Sequence, residues 1–94
     1  MAILFRDDDA SYLTWVIEHP GGFVVNLRKN FDPTYLVLHR AMCPSIRKYP
    51  GMDRNPGGFT ERGYMKLCSL SINDLESYLK KHPPFSSRCG LCNK

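Results

Sequence analysis

The sequence predicts an α+β fold with a small antiparallel sheet of about three strands, packed by two helices and closed by a four-cysteine zinc site. Two segments near the ends of the chain carry helix start and stop signals. Three short runs rich in β-branched and aromatic residues lie between them. Four cysteines fall near the ends of these elements. With 94 residues, the chain has the size of one domain, 1–94, for which a metal would support a thin core.

The two predicted helices flank the strands. The first begins at the acidic run Asp7–Asp9, because carboxylates stabilise the positive end of a helix dipole, and it ends before Pro20. This run could be mistaken for a metal-binding cluster, but adjacent helical residues point in different directions, so capping explains it better. The second helix has Ser71 as its N-cap and ends before Pro83.

Three strands are expected between the helices. Phe23–Leu27 and Tyr35–His39 are predicted to pair as a hairpin through a polar turn at 28–33. Gly63–Cys68 is the third predicted strand. The residues between positions 43 and 63 are broken by prolines and glycines, and loops of about 20 residues without regular structure are commonly functional or mobile.

Four cysteines provide the strongest chemical signal. Cys89 and Cys92 form a C-x2-C pair, whose sulfurs can point at one metal ion about 2.3 Å from each. Cys43 and Cys68 would complete a tetrahedral zinc site with no open position for catalysis. Because these two stand alone in the sequence, disulfides and plain buried thiols stay open as alternatives. His39 could replace one sulfur, although a histidine within a strand is more often packed or hydrogen-bonded.

The N-terminal segment and the hydropathy of the chain indicate the compartment in which we expect the protein. The N-terminus has only a short apolar stretch before a charged run, too little for a signal peptide. No run approaches the roughly 20 apolar residues of a membrane span. We therefore expect a cytoplasmic protein without a membrane partner, where reduced thiols favour metal binding.

Positive charge is concentrated in the middle of the chain. Residues 28–66 contain eight basic side chains and three acidic ones, so this stretch carries +5 while the whole chain carries +4. A basic surface of this kind favours a polyanionic partner. The alternative is a solvated basic surface with no partner.

Basic and aromatic residues alternate in this region, a combination that contacts phosphates and stacks on bases. Asn26 could read a base edge if it faces outward. The alternative is that Phe59 and Tyr64 fill the core and that Asn26 caps the hairpin turn. The candidate nucleic-acid-binding residues are Asn26, Arg28, Arg40, Arg47, Lys48, Tyr49, Arg54, Phe59, Arg62 and Lys66.

Enzyme signatures are missing from the sequence. It contains no phosphate-binding glycine loop, no G-x-S-x-G and no H-E-x-x-H, and its three histidines are scattered. We therefore expect no enzymatic activity of the isolated domain.

A series of motifs resembles a small bacterial four-cysteine domain with W…HPxGFVLN, LHRAxC, KVC and CxxC signatures. Here they read Trp15, HPGGFVVN at 19–26, LHRAMC at 38–43, KLC at 66–68 and a closing C-x-x-C. The match extends from Trp15 to Cys92, with conservative departures at Val25 and Leu67. That domain is associated with restriction and defence proteins. The resemblance implies four cysteine zinc ligands and DNA recognition, including DNA with a modified cytosine, for a nuclease domain or subunit.

Together these patterns predict a non-enzymatic, zinc-containing DNA-recognition module. A modified base would be read either by apolar contact in the major groove or by flipping into an aromatic-lined pocket. The alternative function is a zinc-stapled protein–protein interaction module in a bacterial complex, using the apolar and aromatic face around Trp15.

Overall fold

A computed structural model describes residues 1–43, 46, 60 and 63–90 of the chain. In chain order its elements are β1 Ile3–Phe5, α1 Asp9–Glu18, β2 Phe23–Arg28, β3 Leu36–Arg40, β4 Tyr64–Ser69, α2 Ile72–Leu79 and β5 Ser87–Arg88. The α+β class and both predicted helices are therefore confirmed. None of the helices within these ranges is long and apolar enough to cross a membrane.

The strands form one mixed sheet in the order β1-β4-β2-β3-β5. The pairs β1–β4, β2–β4 and β2–β3 are antiparallel, whereas β3 and β5 are parallel. The expectation of about three antiparallel strands was therefore wrong, since five strands are present in the described ranges. The two missed strands, β1 and β5, have only three and two residues. Such short edge strands are defined by pairing with a neighbour, and they leave little periodicity in the sequence.

The acidic run before α1 begins the helix and also holds a distant part of the chain. Asp8 is the N-cap, and its side chain accepts a hydrogen bond from the Ser11 amide at 3.1 Å. The Asp9 carboxylate accepts from the Thr60 backbone amide at 2.6 Å and from the Thr60 hydroxyl at 2.7 Å. Because Thr60 is fully buried, these bonds fix one point of the central segment against the start of α1.

The two helices cover opposite faces of the sheet. The α1 face buries a cluster that includes cysteines: Tyr12, Trp15, Val16, Val24, Ala41, Cys43, Ile46 and Cys68. The α2 face buries a cluster of Val25, Leu27, Leu36, Leu38, Met65, Leu67 and Leu75. Alternation along the strands separates the two sets, because residues two apart on a strand share a face.

The strand register arranges the α1-face residues of β4, β2 and β3 in three rows across the sheet. The first row is Cys68, Val24 and His39; the second is Lys66, Asn26 and Val37; the third is Tyr64, Arg28 and Tyr35. Tyr35 directly precedes β3 and continues the Leu27–Leu36 pairing opposite Arg28. Among these rows, the first contributes residues to the buried cluster under α1, the second contains the buried Lys66, and the third contains the exposed Arg28. We call the third row the open end of this face.

Candidate metal centre and nucleic-acid interface

His39, Cys43 and Cys89 converge at the β3–β5 edge of the α1 face, and this group could hold a metal ion. His39 lies in β3, and Cys43 follows it in a turn closed by a 2.9 Å bond from the Cys43 amide to the Arg40 carbonyl. Cys89 follows β5, and its amide donates to the Leu38 carbonyl at 2.9 Å. This bond continues the parallel β3–β5 pairing and places Cys89 beside His39.

The spacing of the ligand atoms fits a tetrahedral ion. The side-chain ligand atoms of the three residues all lie within 4.8 Å of one another. The two sulfurs of Cys43 and Cys89 are 3.7 Å apart. Two thiolates about 2.3 Å from one tetrahedral zinc ion would be separated by about 3.8 Å, whereas disulfide sulfurs lie about 2.05 Å apart. Among the described residues, no disulfide links Cys43, Cys68 and Cys89 to one another.

The surroundings of His39 favour the form of imidazole that binds metals. Its side chain is buried, and burial, assisted by the positive charge of Lys66, lowers the pKa of His39 to about 4. The ring is therefore neutral near pH 7, which leaves a nitrogen lone pair able to coordinate an ion.

Cys68, predicted as a ligand, lies outside this group. It is in β4, two strands away from β3, and Val24 of β2 stands between Cys68 and His39 in the same row. With neighbouring strands about 4.8 Å apart, the backbones of Cys68 and His39 are roughly 10 Å apart, and β5 lies further away. Burial raises the pKa of the Cys68 thiol, so it stays protonated. Cys92, the fourth predicted ligand, lies outside the described residues.

A second group of side chains forms the third row at the open end of the α1 face. The Arg28 guanidinium carbon lies 4.5 Å from the centre of the Tyr35 ring and 5.7 Å from that of Tyr64. The two ring centres are 5.9 Å apart, with planes tilted by 43°. Arg28 is exposed and both tyrosines are half-buried. The row therefore places an exposed cation beside two half-buried aromatic rings.

Asn26 and Lys66 support this row from below. The Lys66 ammonium donates to the Asn26 side-chain oxygen at 2.8 Å, and the Asn26 amide nitrogen lies 3.4 Å from the Tyr35 hydroxyl. Burial lowers the pKa of Lys66 to about 8, an effect partly offset by the negative charge of Asp9. Because Lys66 is only 3% exposed, it lies too deep to meet a phosphate directly, and its position is that of a support for Asn26.

The remaining predicted nucleic-acid residues do not gather at this row. Arg40 is exposed, but the pairing and alternation of β3 place it on the α2 face, away from Arg28. Arg47, Lys48, Tyr49, Arg54, Phe59 and Arg62 lie outside the described residues.

Two site residues, Tyr35 and His39, were missed or discounted by sequence reasoning. Both lie on the α1 side of β3, with Val37 between them at the same two-residue spacing. That alternation was visible in the sequence and could have placed them on one face. The sequence did not show which strands lie beside β3.

No family model, no curated protein and no solved structure matches this chain in the comparisons. The resemblance to a four-cysteine domain of restriction and defence proteins therefore stays a prediction. What bears on function is the chemistry of the metal centre and of the third row.

Proposed function

We propose that this chain is a non-enzymatic, zinc-stapled module that binds DNA in the cytoplasm, acting with a nuclease domain or subunit. The observation that supports DNA binding best is the row formed by Tyr64, Arg28 and Tyr35 at the open end of the α1 face. An exposed cation beside aromatic rings combines phosphate attraction with stacking surface. The +5 charge of the stretch 28–66 would add long-range attraction to a polyanion.

Zinc is the proposed metal. A site of two thiolates and an imidazole suits zinc better than hard cations, which prefer oxygen ligands. Cys43 and Cys89 supply the sulfurs, His39 supplies nitrogen, and the C-x2-C motif nominates Cys92 for the fourth position. Such a closed site is structural, and it would tie β3 and the turn after it to the short edge strand β5.

The DNA proposal is tested by fluorescence anisotropy with unmodified, 5-methylcytosine and 5-hydroxymethylcytosine DNA at about 50 and 200 mM salt. We expect affinity to fall steeply with salt, and Arg28→Ala to weaken binding to all sequences alike. Arg88→Ala is the matched control, because Arg88 is exposed and pairs beside Leu38 of the α2 face. Equal loss in both variants would reject the third row as the contact surface, and preference for modified DNA would support modified-cytosine recognition.

The metal proposal is tested by native mass spectrometry of the purified chain before and after treatment with a chelator. One bound zinc ion per chain is expected before treatment. A mass equal to that of the bare chain with reduced thiols, in protein purified without chelator, would reject it.

The alternative function, a protein-interaction module, has its own supporting observation. Ile3, Leu4 and Ile17 are 42%, 36% and 61% exposed, which leaves apolar surface near the β1 edge and on α1. Trp15 itself is only 8% exposed, so it contributes little of this apolar surface. Binding through an apolar interface would change little with salt, which separates this alternative from DNA binding.

A further inference from the structure

We infer that the third row binds single-stranded DNA, with unpaired bases stacked on the surface made by Tyr64, Arg28 and Tyr35. This inference rests on the proposed DNA binding and specifies the form of DNA. It assigns ligand contacts to Tyr35 and Tyr64, and it gives Asn26 a positioning role.

The first argument is the layout of the row. Its three side chains come from three neighbouring strands and lie side by side on one face of the sheet. The two ring centres are 5.9 Å apart, and the exposed Arg28 guanidinium lies over both rings. Aromatic rings and guanidinium planes are the groups on which proteins stack unpaired bases, with little dependence on sequence because every base has a π-face.

The second argument concerns what this row lacks. A duplex hides the faces of its bases and shows only their edges in the grooves. Asn26 and Arg28 are the nearby side chains suited to read an edge. The Asn26 oxygen already accepts from Lys66 and its nitrogen lies near the Tyr35 hydroxyl, while the Arg28 guanidinium lies 4.5 Å from the centre of the Tyr35 ring. The row therefore offers stacking surface more than edge recognition, and only an unpaired base can use that surface.

The third argument is that the surface is held in place before any ligand arrives. Lys66, 3% exposed, holds Asn26, and Asn26 lies against the hydroxyl of Tyr35. The Arg28 guanidinium contacts the rings of Tyr35 and Tyr64. Side chains that are already ordered lose less conformational entropy on binding.

The test compares a fluorescein-labelled, mixed-sequence single strand of about 12 nucleotides with its duplex, using the full chain with bound zinc. We expect the single strand to bind more tightly. Tyr35→Ala and Tyr64→Ala should each weaken single-strand binding by about 5- to 150-fold. Tyr35→Phe, which keeps the ring, should retain most of the affinity. Tyr78→Ala is the matched control, since Tyr78 is a half-exposed tyrosine on α2, and it should bind like the unmodified chain.

Photocrosslinking uses the unmodified chain, so its result does not depend on whether a variant folds. A single strand substituted with 5-bromouracil should crosslink to peptides containing Tyr35 or Tyr64, and crosslinks confined to other peptides would overturn the inference. Tighter, salt-sensitive binding to the duplex, with both alanine variants unaffected, would overturn this inference while leaving the proposed DNA binding intact. Absence of binding to either form at low salt would overturn both.

Discussion

The two faces of the sheet use the same strands for different purposes. On the α2 face, the buried cluster consists of aliphatic residues and one methionine, and Leu75 of α2 packs against it. On the α1 face, the buried cluster includes two cysteines and ends beside His39, Lys66 and the Tyr64–Arg28–Tyr35 row. Apolar burial on the α2 face stabilises the domain without needing any partner. The α1 face carries the thiols, the imidazole and the Tyr64–Arg28–Tyr35 row on which the proposed metal and DNA binding rest.

Under the proposed function, this small domain keeps stability and recognition on different faces of its sheet. Alternation along β2, β3 and β4 sends every second residue to each face, so a polar group for recognition on one face leaves the opposite face apolar. The contrast predicts that mutations on the α2 face change stability alone, whereas mutations of the proposed metal ligands or of the third row on the α1 face change metal or DNA binding.

The largest effect is expected at the metal centre. Cys89→Ser should abolish zinc binding, and the chain should lose about 4 kcal/mol of stability at free zinc a thousandfold above the dissociation constant. Denaturant unfolding with and without a chelator measures this difference. Cys68→Ala is the control, and it should keep one zinc ion per chain by native mass spectrometry. Loss of zinc from the Cys68 variant and its retention by the Cys89 variant would reverse our assignment of the ligands.

The next largest effect is expected in the core of the α2 face. Leu67→Ala removes a fully buried side chain and should lower the free energy of unfolding by about 3 kcal/mol. Because the two faces are chemically separate, the loss should be the same with and without zinc. A loss that depends on zinc would show that the faces are energetically coupled.

A smaller effect is expected in the turn that connects α1 to β2. A Cβ added at Gly22 would lie 2.5 Å from the Trp15 ring and 3.1 Å from the His19 carbonyl oxygen. Gly22→Ala should therefore destabilise the chain by about 2 kcal/mol through overpacking of the α1 face. Gly21→Ala is the matched control, since no atom lies within 4 Å of its added Cβ. Equal melting temperatures for the two variants would show that Trp15 moves aside freely.

The last expected effect is a pH dependence of stability that comes from the buried Lys66. Its pKa is lowered from 10.5 to about 8 in the folded chain, so the unfolded chain binds more protons between these values. Stability should therefore rise as pH increases from about 8 to 10.5. The unfolding free energy of the unmodified chain is compared with that of Lys66→Met across this pH range. The difference between the two separates the contribution of Lys66 from that of cysteine titration. We expect the unmodified chain to gain stability relative to Lys66→Met as the pH rises through this range, and a difference independent of pH would mean that Lys66 stays hydrated.

Helix ends and the longer strands could be predicted from local chemistry. Ser71 is the N-cap expected from its side chain, and the acidic run Asp7–Asp9 expected to start α1 contains its N-cap, Asp8. Each cap side chain accepts from a backbone amide in the first turn. Strands β2, β3 and β4 follow runs of β-branched and aromatic residues. The short edge strands were not predictable, because Ile3–Phe5 and Ser87–Arg88 are strands only through the neighbours with which they pair.

The sequence by itself determined the α+β class, both helices, the three longer strands and the thiol chemistry that suits zinc. Only the tertiary structure decided that β2 separates β3 from β4 and that β5 joins the far side of β3. That order places His39 beside Cys89 and keeps Cys68 away from them, and it brings Tyr35 into one row with Arg28 and Tyr64. The physical reason is that side chains meet across strands through hydrogen-bonded register, and spacing along the chain does not specify which strands are neighbours.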